Sequence, residues 1–116
     1  MIPFGNRTVT LIHRTPDGYR PFTLKGCSWK DTTARALNGT SIVCTIETTC
    51  RVPHGQQKPA PGDLMILGNV DESADGEIEL VRLMQRLRAE GSGVFRVERV
   101  KDNTGAPMPH YAASGA

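Results

Sequence analysis

Apolar and polar side chains alternate along most of this chain, with the period of a β-strand. Residues 8–14 (TVTLIHR) are rich in β-branched side chains and predict a first strand. The sequence TPDG at residues 15–18 predicts a turn. Residues 22–29 predict a second strand that pairs back on the first, and Gly26 within it indicates a bulge or a close backbone approach.

The longest alternating run covers residues 40–52. One side carries Ile42, Cys44 and Ile46 and continues to Val52, whereas the other side is mostly polar. This pattern predicts a strand with one buried and one solvated face. The preceding sequence NG at residues 38–39 is a strong hairpin signal, so we expect the strand to pair with residues 29–36.

The second half of the chain contains segments with different patterns of apolar and polar residues. Residues 53–61 (PHGQQKPAP) predict a loop, because their three prolines prevent ladder pairing. Residues 64–70 predict a strand that is apolar on both faces and therefore central. Residues 71–91 predict an acidic loop and then an α-helix at about residues 75–90, where apolar residues recur at helical spacing. Residues 94–113 predict a C-terminal hairpin with its turn at 102–105.

These elements predict one domain spanning residues 1–116. About seven strands joined by short turns, with one helix inserted late, favour a mainly β fold. We therefore expect a small antiparallel β-barrel or sandwich with a single packed helix.

The net charge of +2 conceals an asymmetry. Residues 1–60 hold eight Lys or Arg and three Asp or Glu, whereas residues 61–116 hold six and nine. Residues 63–79 alone contain six acids and no base. Two interpretations stay open: a solvated acidic loop and helix start, or a dipolar subunit that docks by complementary charge.

Composition also bears on the compartment. An odd number of cysteines, three, favours a reduced cytosolic setting. No signal peptide is apparent, and no apolar run is long enough to span a bilayer, so no membrane partner is expected.

The sequence contains few motifs for catalysis or for binding a metal or cofactor. Cys50 and His54 have tolerable spacing for a metal, but no CxxC motif is present, and Cys44 and Cys50 share the apolar side of a strand. No histidine marks a cysteine as a nucleophile, and no GxSxG elbow or phosphate-binding glycine loop occurs. The sequence predicts no enzyme activity and no cofactor or metal.

The order of several short motifs resembles a family of tailed-bacteriophage structural proteins encoded near the head–tail joining genes. The motifs are VTLIHR (9–14), LxGCSWKD (24–31), RVP (51–53), PGDLMILGNV (61–70), VxxVxDN (97–103) and PHY (109–111). Such proteins are neck, or head-completion, components with small β-barrel cores and loops that line or seal the DNA channel. The resemblance implies no catalytic residues.

This resemblance predicts a virion structural protein of the phage neck. It implies a homo-oligomeric, stopper-like ring between the portal or adaptor and the tail, assembled in the host cytoplasm. The ring would close the head, join it to the tail and surround the packaged double-stranded DNA. A tail terminator or other minor tail protein is the alternative, and a barrel-type module for single-stranded nucleic acid is an alternative of another class.

Candidate interface or lumen residues come from the proline-rich loop, the acidic segment and the terminal hairpin. We expect the loop, with little apolar area to offset its ordering cost, to order only in the assembled ring. The candidates are Pro53, His54, Gly55, Gln56, Gln57, Lys58, Asp71, Glu72, Asp75 and His110.

Overall fold

The computed structural model describes residues 7–38, 41–103 and 109–115, with residues 32–38 and 41–46 described by their backbone alone. These residues form seven antiparallel strands and one helix, which confirms the predicted mainly β barrel with a single helix. The elements are β1 (Arg7–Thr15), β2 (Gly18–Asn38), β3 (Ser41–Pro53), β4 (Leu64–Leu67), α1 (Glu77–Ala89), β5 (Val94–Arg96), β6 (Arg99–Asn103) and β7 (His110–Gly115).

The strands form one curled sheet in the order β5-β4-β1-β2-β3-β7-β6. Its two edge strands, β5 and β6, are consecutive in the chain. After β5, the N–H of Val97 donates to the carbonyl of Asp63, directly before β4, at 2.8 Å. The next N–H, of Glu98, donates to the carbonyl of Ser114 on β7, also at 2.8 Å. Residues 94–103 therefore bridge the two ends of the sheet and close the curl.

Successive residues of the central strands face two different layers. Val9 and Leu11 of β1 belong to an inner core, whereas Ile12 belongs to an outer layer between the sheet and α1. The inner core contains Val9, Leu11, Leu24, Cys27, Cys50, Val52, Met65, Phe95, Val97 and Ala113. The outer layer contains Ile12, Tyr19, Leu64, Ile66, Ala74, Leu80, Leu83, Leu87 and Val94. The central position predicted for β4 is confirmed, since it pairs with β1 and β5 and supplies both layers.

The helix covers the outer face of the sheet with three leucines. Leu80, Leu83 and Leu87 are buried at helical spacing, as the sequence pattern predicts. Acids occupy its first turn and arginines its last, which suits the helix dipole. Gly91, with φ of 82°, follows the helix end in the left-handed conformation that favours glycine. Ile78 lies in the predicted apolar stripe, yet its exposed fraction is 65%.

Strand β2 is a single strand of 21 residues. It pairs with β1 as far as Cys27 and with β3 from Ser28 to Asn38. Gly26, with φ of 70°, lies where the register against β1 shifts. The predicted irregularity at this glycine is confirmed.

The far part of the β2–β3 hairpin extends past the rest of the sheet. Strand β3 has β7 as its second neighbour only from Thr48 onward. Among the described residues, 32–38 and 41–47, called the arm below, pair only with each other. The predicted hairpin is confirmed by the pairing of Asn38 with Ser41, and residues 39 and 40, its expected turn, lie outside the described residues.

Two predicted boundaries are wrong. The strand expected at 94–100 is divided, because residues 97–98 change partner from the β4 side to β7. The C-terminal hairpin consequently consists of β6 and β7 alone, rather than all of 94–113. Residues 104 and 105 of its turn lie outside the described residues. The strand expected at 64–70 ends at Leu67, and Gly68 follows with φ of 110°.

Candidate interaction site

The proline-rich loop begins beside the terminal hairpin. The His54 ring stacks on Tyr111 with 4.3 Å between centroids, and its Nε2 lies 3.1 Å from Oδ1 of Asp102. The Nζ of Lys58 lies 5.6 Å from the centre of the Tyr111 ring. We call His54, Lys58, Asp102 and Tyr111 the loop-end cluster. Imidazole, ammonium, carboxylate and phenol groups are able to bind other molecules by hydrogen bonds, ion pairs and ring contacts.

His110 precedes Tyr111 in β7 and therefore lies on the opposite face of the sheet from the loop-end cluster. It opens β7, pairs with Pro53 on β3 and with Asn103 on β6, and is only 8% exposed. Its Nε2 lies 2.9 Å from Nδ2 of Asn103. The ring is thus oriented by neighbours in its own chain, a burial that the sequence did not indicate.

The middle of the loop is attached to β2 through one amide side chain. Oε1 of Gln56 accepts from the N–H of Lys25 at 2.7 Å, and Nε2 of Gln56 donates to the carbonyl of Lys25 at 2.8 Å. The amide therefore satisfies both backbone polar groups of one strand residue, as a paired strand would. Gly55 beside it is exposed and has φ of 96°.

The end of the loop is held by the buried carboxylate of Asp63. This side chain is nearly inaccessible, with a residue exposure of 1%. Oδ2 accepts from the N–H of Ala60 at 2.9 Å and lies 2.5 Å from Nδ1 of His13. Oδ1 accepts weakly from the N–H of Arg14, at 3.4 Å. One carboxylate thus ties the loop to β1.

These contacts give the loop partners within its own chain. Its start, middle and end are each held by a different part of the fold, and Pro59 is buried. Ordering of the loop on assembly stays a prediction, and apolar area is not the only means of ordering a loop. A side-chain amide and a buried carboxylate hold this one through hydrogen bonds.

The acidic segment forms a separate group on the helix side of the sheet. Glu72 binds Arg86 of α1 at 2.5 Å, and Glu77 forms a two-pronged ion pair with Arg96 of β5, with one contact of 2.6 Å. Hydrogen bonding to Arg96 holds the pKa of Glu77 below its ordinary value. Asp71 and Asp75 are exposed.

Pairing within the chain reduces the negative field of residues 63–79. Of the six acids, Asp63, Glu72 and Glu77 each face a basic side chain. Asp75 and Glu77 line a pocket of about 270 Å³ with Arg14, so positive charge enters that surface too. The local negative field of the acidic segment is therefore reduced, whereas the charge balance of residues 61–116 is unchanged because their count already includes Arg86 and Arg96.

The cysteines belong to the barrel interior. Cys27 and Cys50 are free and fully buried in the inner core. The hydrogen bond that the Cys50 thiol donates to Cys27, together with burial, raises the pKa of Cys50. The described residues contain no group of three or more His, Cys, Asp or Glu side chains placed to hold a metal ion. The side chain of Cys44 lies outside the described residues.

Most described aromatic rings are engaged in internal contacts. Trp29 packs on the buried Phe95 with 5.2 Å between centroids, and Phe22 meets the edge of His13 at 6.0 Å. Tyr19 is buried against the helix layer. A single-stranded nucleic-acid module needs exposed rings on which bases stack. The described aromatic residues provide little such surface, and Phe4 lies outside the described residues.

The feature that the sequence search missed is the arm. The alternation at 40–52 predicted the strand, and nothing in it indicated that residues 41–47 would run beyond β7. Strand lengths give the only available signal, because β3 has 13 residues and β7 has six. Among residues 7–38, 41–103 and 109–115, no strand pairs with the outer backbone edges of the arm.

Comparison with known protein families adds a membership. Residues 4–116 match the model of a family of unknown function, DUF6751. The chain belongs to this family. No curated protein and no solved structure matches it. Among the described residues of this DUF6751 member, no helix has the length and apolar character needed to cross a membrane.

Proposed function

We propose that this DUF6751 protein is a structural subunit of the tailed-phage neck. Copies form a ring between the portal or adaptor and the tail, close the filled head and join it to the tail. The motif order described above supports this role, and so does the small barrel with one helix, the core that the resemblance implies.

The arm is the observation that carries the proposal. Its strands have backbone N–H and C=O groups on their outer edges that no other described strand satisfies. Such edges are a liability for a monomer, because they pair with other chains. A subunit whose task is to contact copies of itself uses them, whereas a solitary barrel gains nothing from extending a hairpin beyond its core.

The remaining candidate residues fit the other contacts of a ring subunit. The loop-end cluster presents His54 and Lys58 at one end of the barrel, on a loop already fixed by its own chain. A pre-ordered loop contacts a portal or tail protein with little further ordering cost. Asp71 and Asp75 on the exposed acidic segment suit the lumen, where negative side chains repel DNA and let it slide.

Imaging the phage that encodes this chain tests the role. Cryo-EM reconstruction of its neck is expected to show a ring of barrels, each with one helix, at the portal–tail junction. Absence of the protein from that junction would refute the proposal. Particles lacking the chain then separate the two neck roles. Loss of a head-closure ring leaves unsealed heads beside finished tails, whereas loss of a tail terminator leaves sealed heads and tails of uncontrolled length.

A further inference from the structure

We infer that copies of this chain join through the arm: the open edge of β3 in one copy hydrogen-bonds to the open edge of β2 in the next. The inference rests on the proposed function, because it supplies the contact between ring subunits. It follows from the backbone of the arm and requires no particular side chain.

The two open edges lie on opposite sides of one ribbon. Within the arm, β2 and β3 pair in register from Thr32 with Glu47 to Asn38 with Ser41. Each strand uses one edge to pair with the other, so within the part of the chain that the structure describes one open edge belongs to β2 and the opposite open edge to β3. Every copy thus offers both halves of the same contact.

This arrangement favours a ring over a two-fold dimer. A dimer in which two β3 edges meet leaves both β2 edges unpaired, whereas pairing β3 with the β2 of a neighbour satisfies every edge. Rotation about a ring axis also preserves strand direction. Because β2 and β3 are antiparallel within a copy, they remain antiparallel between copies, and the arms form one continuous sheet.

Pairing with a neighbouring copy would stabilise the arm. An isolated two-stranded ribbon is marginally stable in water, and three or more strands are needed for independent stability. Pairing with neighbours gives each arm strand a second partner. The seven residues 41–47 of the arm in β3 span about 23 Å at roughly 3.3 Å per residue, which provides an edge of useful length.

The register also places several apolar positions on one face of the arm. Leu37, Ile42, Cys44 and Ile46 share this face with Thr33 and Arg35, and it continues the face of the buried Cys27 and Cys50. In a continuous sheet this face of one copy adjoins the same face of the next. Cross-strand apolar neighbours then stabilise the contact in addition to the backbone hydrogen bonds.

A shortened arm tests the inference while leaving the barrel intact. Residues 34–45 are replaced by Asn-Gly, which joins Thr33 to Ile46, its register partner, through a two-residue turn. The full chain is expected to form rings by native mass spectrometry and sedimentation. The shortened chain is expected to be monomeric, with an unchanged near-ultraviolet circular dichroism spectrum from Trp29 in the barrel. Rings of the shortened chain, or a full chain that stops at a dimer or monomer, would overturn the inference.

Cross-linking tests the same contact in the full-length chain. Chains that keep Cys44 as their arm thiol are mixed with Thr33→Cys/Cys44→Ser chains, because positions 33 and 44 of one arm are diagonal neighbours and would otherwise be joined within one chain. A short bifunctional methanethiosulfonate reagent is expected to give covalent dimers that contain one chain of each kind. Ala34→Cys/Cys44→Ser, the matched control on the opposite face, is expected to give none, and equal yields from the two mixtures would refute the edge pairing.

The arm contact and the neck role can be refuted independently of each other. If the protein forms a ring at the portal–tail junction and the shortened arm still supports that ring, the arm contact is wrong and the neck role stands. If the chain forms arm-dependent rings but is absent from the neck, the contact stands and the role is wrong.

Discussion

Adding one methyl group at Gly115 should open the barrel. This residue ends β7 against β5, and a Cβ built on it would overlap the carbonyl oxygen of Arg96. The same carbon would lie 2.9 Å from the carbonyl carbon of Arg96 and 3.2 Å from the ring of Phe95. Both Arg96 atoms are backbone, so a side-chain rotation cannot relieve the overlap. For Gly115→Ala, β7 must move away from the strand that closes the sheet.

The cost follows from what that movement disrupts. Overpacking a core typically costs about 1–3 kcal/mol. The hydrogen bond from Glu98 to Ser114, 2.8 Å long, lies next to the clash, and losing it adds about 1 kcal/mol. We expect Gly115→Ala to lower the free energy of unfolding by roughly 2–4 kcal/mol. Native stability is only about 5–15 kcal/mol, so urea unfolding should show the loss as a clear fall in the midpoint.

Gly76→Ala is the matched control for Gly115→Ala. Gly76 has an extended backbone, with φ of −160°, and an added methyl group meets only the flexible side chain of Glu79, at 3.3 Å. We expect a change within about 1 kcal/mol, since the loss of glycine at the helix N-cap and the reduced entropy of the unfolded chain offset each other. If Gly115→Ala is as stable as Gly76→Ala, the inference that residues 94–103 close the barrel is wrong.

Three further substitutions test the contacts around the loop and the helix. Asp63→Asn should cost about 1–3 kcal/mol in urea unfolding, because an amide cannot accept every hydrogen bond of the buried carboxylate; an unchanged midpoint would contradict the tie to β1. Glu77→Gln should cost under about 1 kcal/mol at pH 7, because this side chain is 56% exposed. The lowered pKa of Glu77 means that its contribution is present above the ordinary value of 4.5 and is lost as pH falls through the lowered value, so the variant should show a shallower acid loss of stability. Gln56→Ala should accelerate hydrogen exchange at the N–H of Lys25, and equal exchange in both proteins would refute the amide contact.

Sequence predicted best the elements whose type depends on a local repeat of apolar residues. The alternation in β1 and β3 and the leucine spacing of α1 lie within short segments, so they can be recognised without knowledge of the fold. The break between β5 and β6 depends on which strands meet residues 97–98, and no local pattern records that.

The candidate site was less predictable for the same physical reason. The bond from Gln56 to Lys25 joins residues 31 positions apart, and that from His13 to Asp63 joins residues 50 apart. Composition indicated a loop with little apolar area, but could not show that Gln56 would bind Lys25 or that Asp63 would be buried beside His13. His54 and His110 were selected as members of the loop and of the terminal hairpin, and the structure places them at neighbouring backbone positions, with only His54 stacked on Tyr111.

The bridging role of residues 94–103 has a consequence for the order in which the chain emerges from the ribosome. The β1–β2–β3 meander is synthesised first and can pair immediately, because its connections are short. Strand β4 can then join β1, but it has no second neighbour until β5 appears, and β3 has none beyond β2 until β7 appears. A nascent chain that has emerged only to residue 93 is therefore an open sheet with two unsatisfied borders, the state most prone to aggregation and to chaperone capture. Synthesis of β5, β6 and β7 converts that sheet into a barrel, so a translation pause at any point before β7 has emerged leaves at least one border of the sheet unpaired.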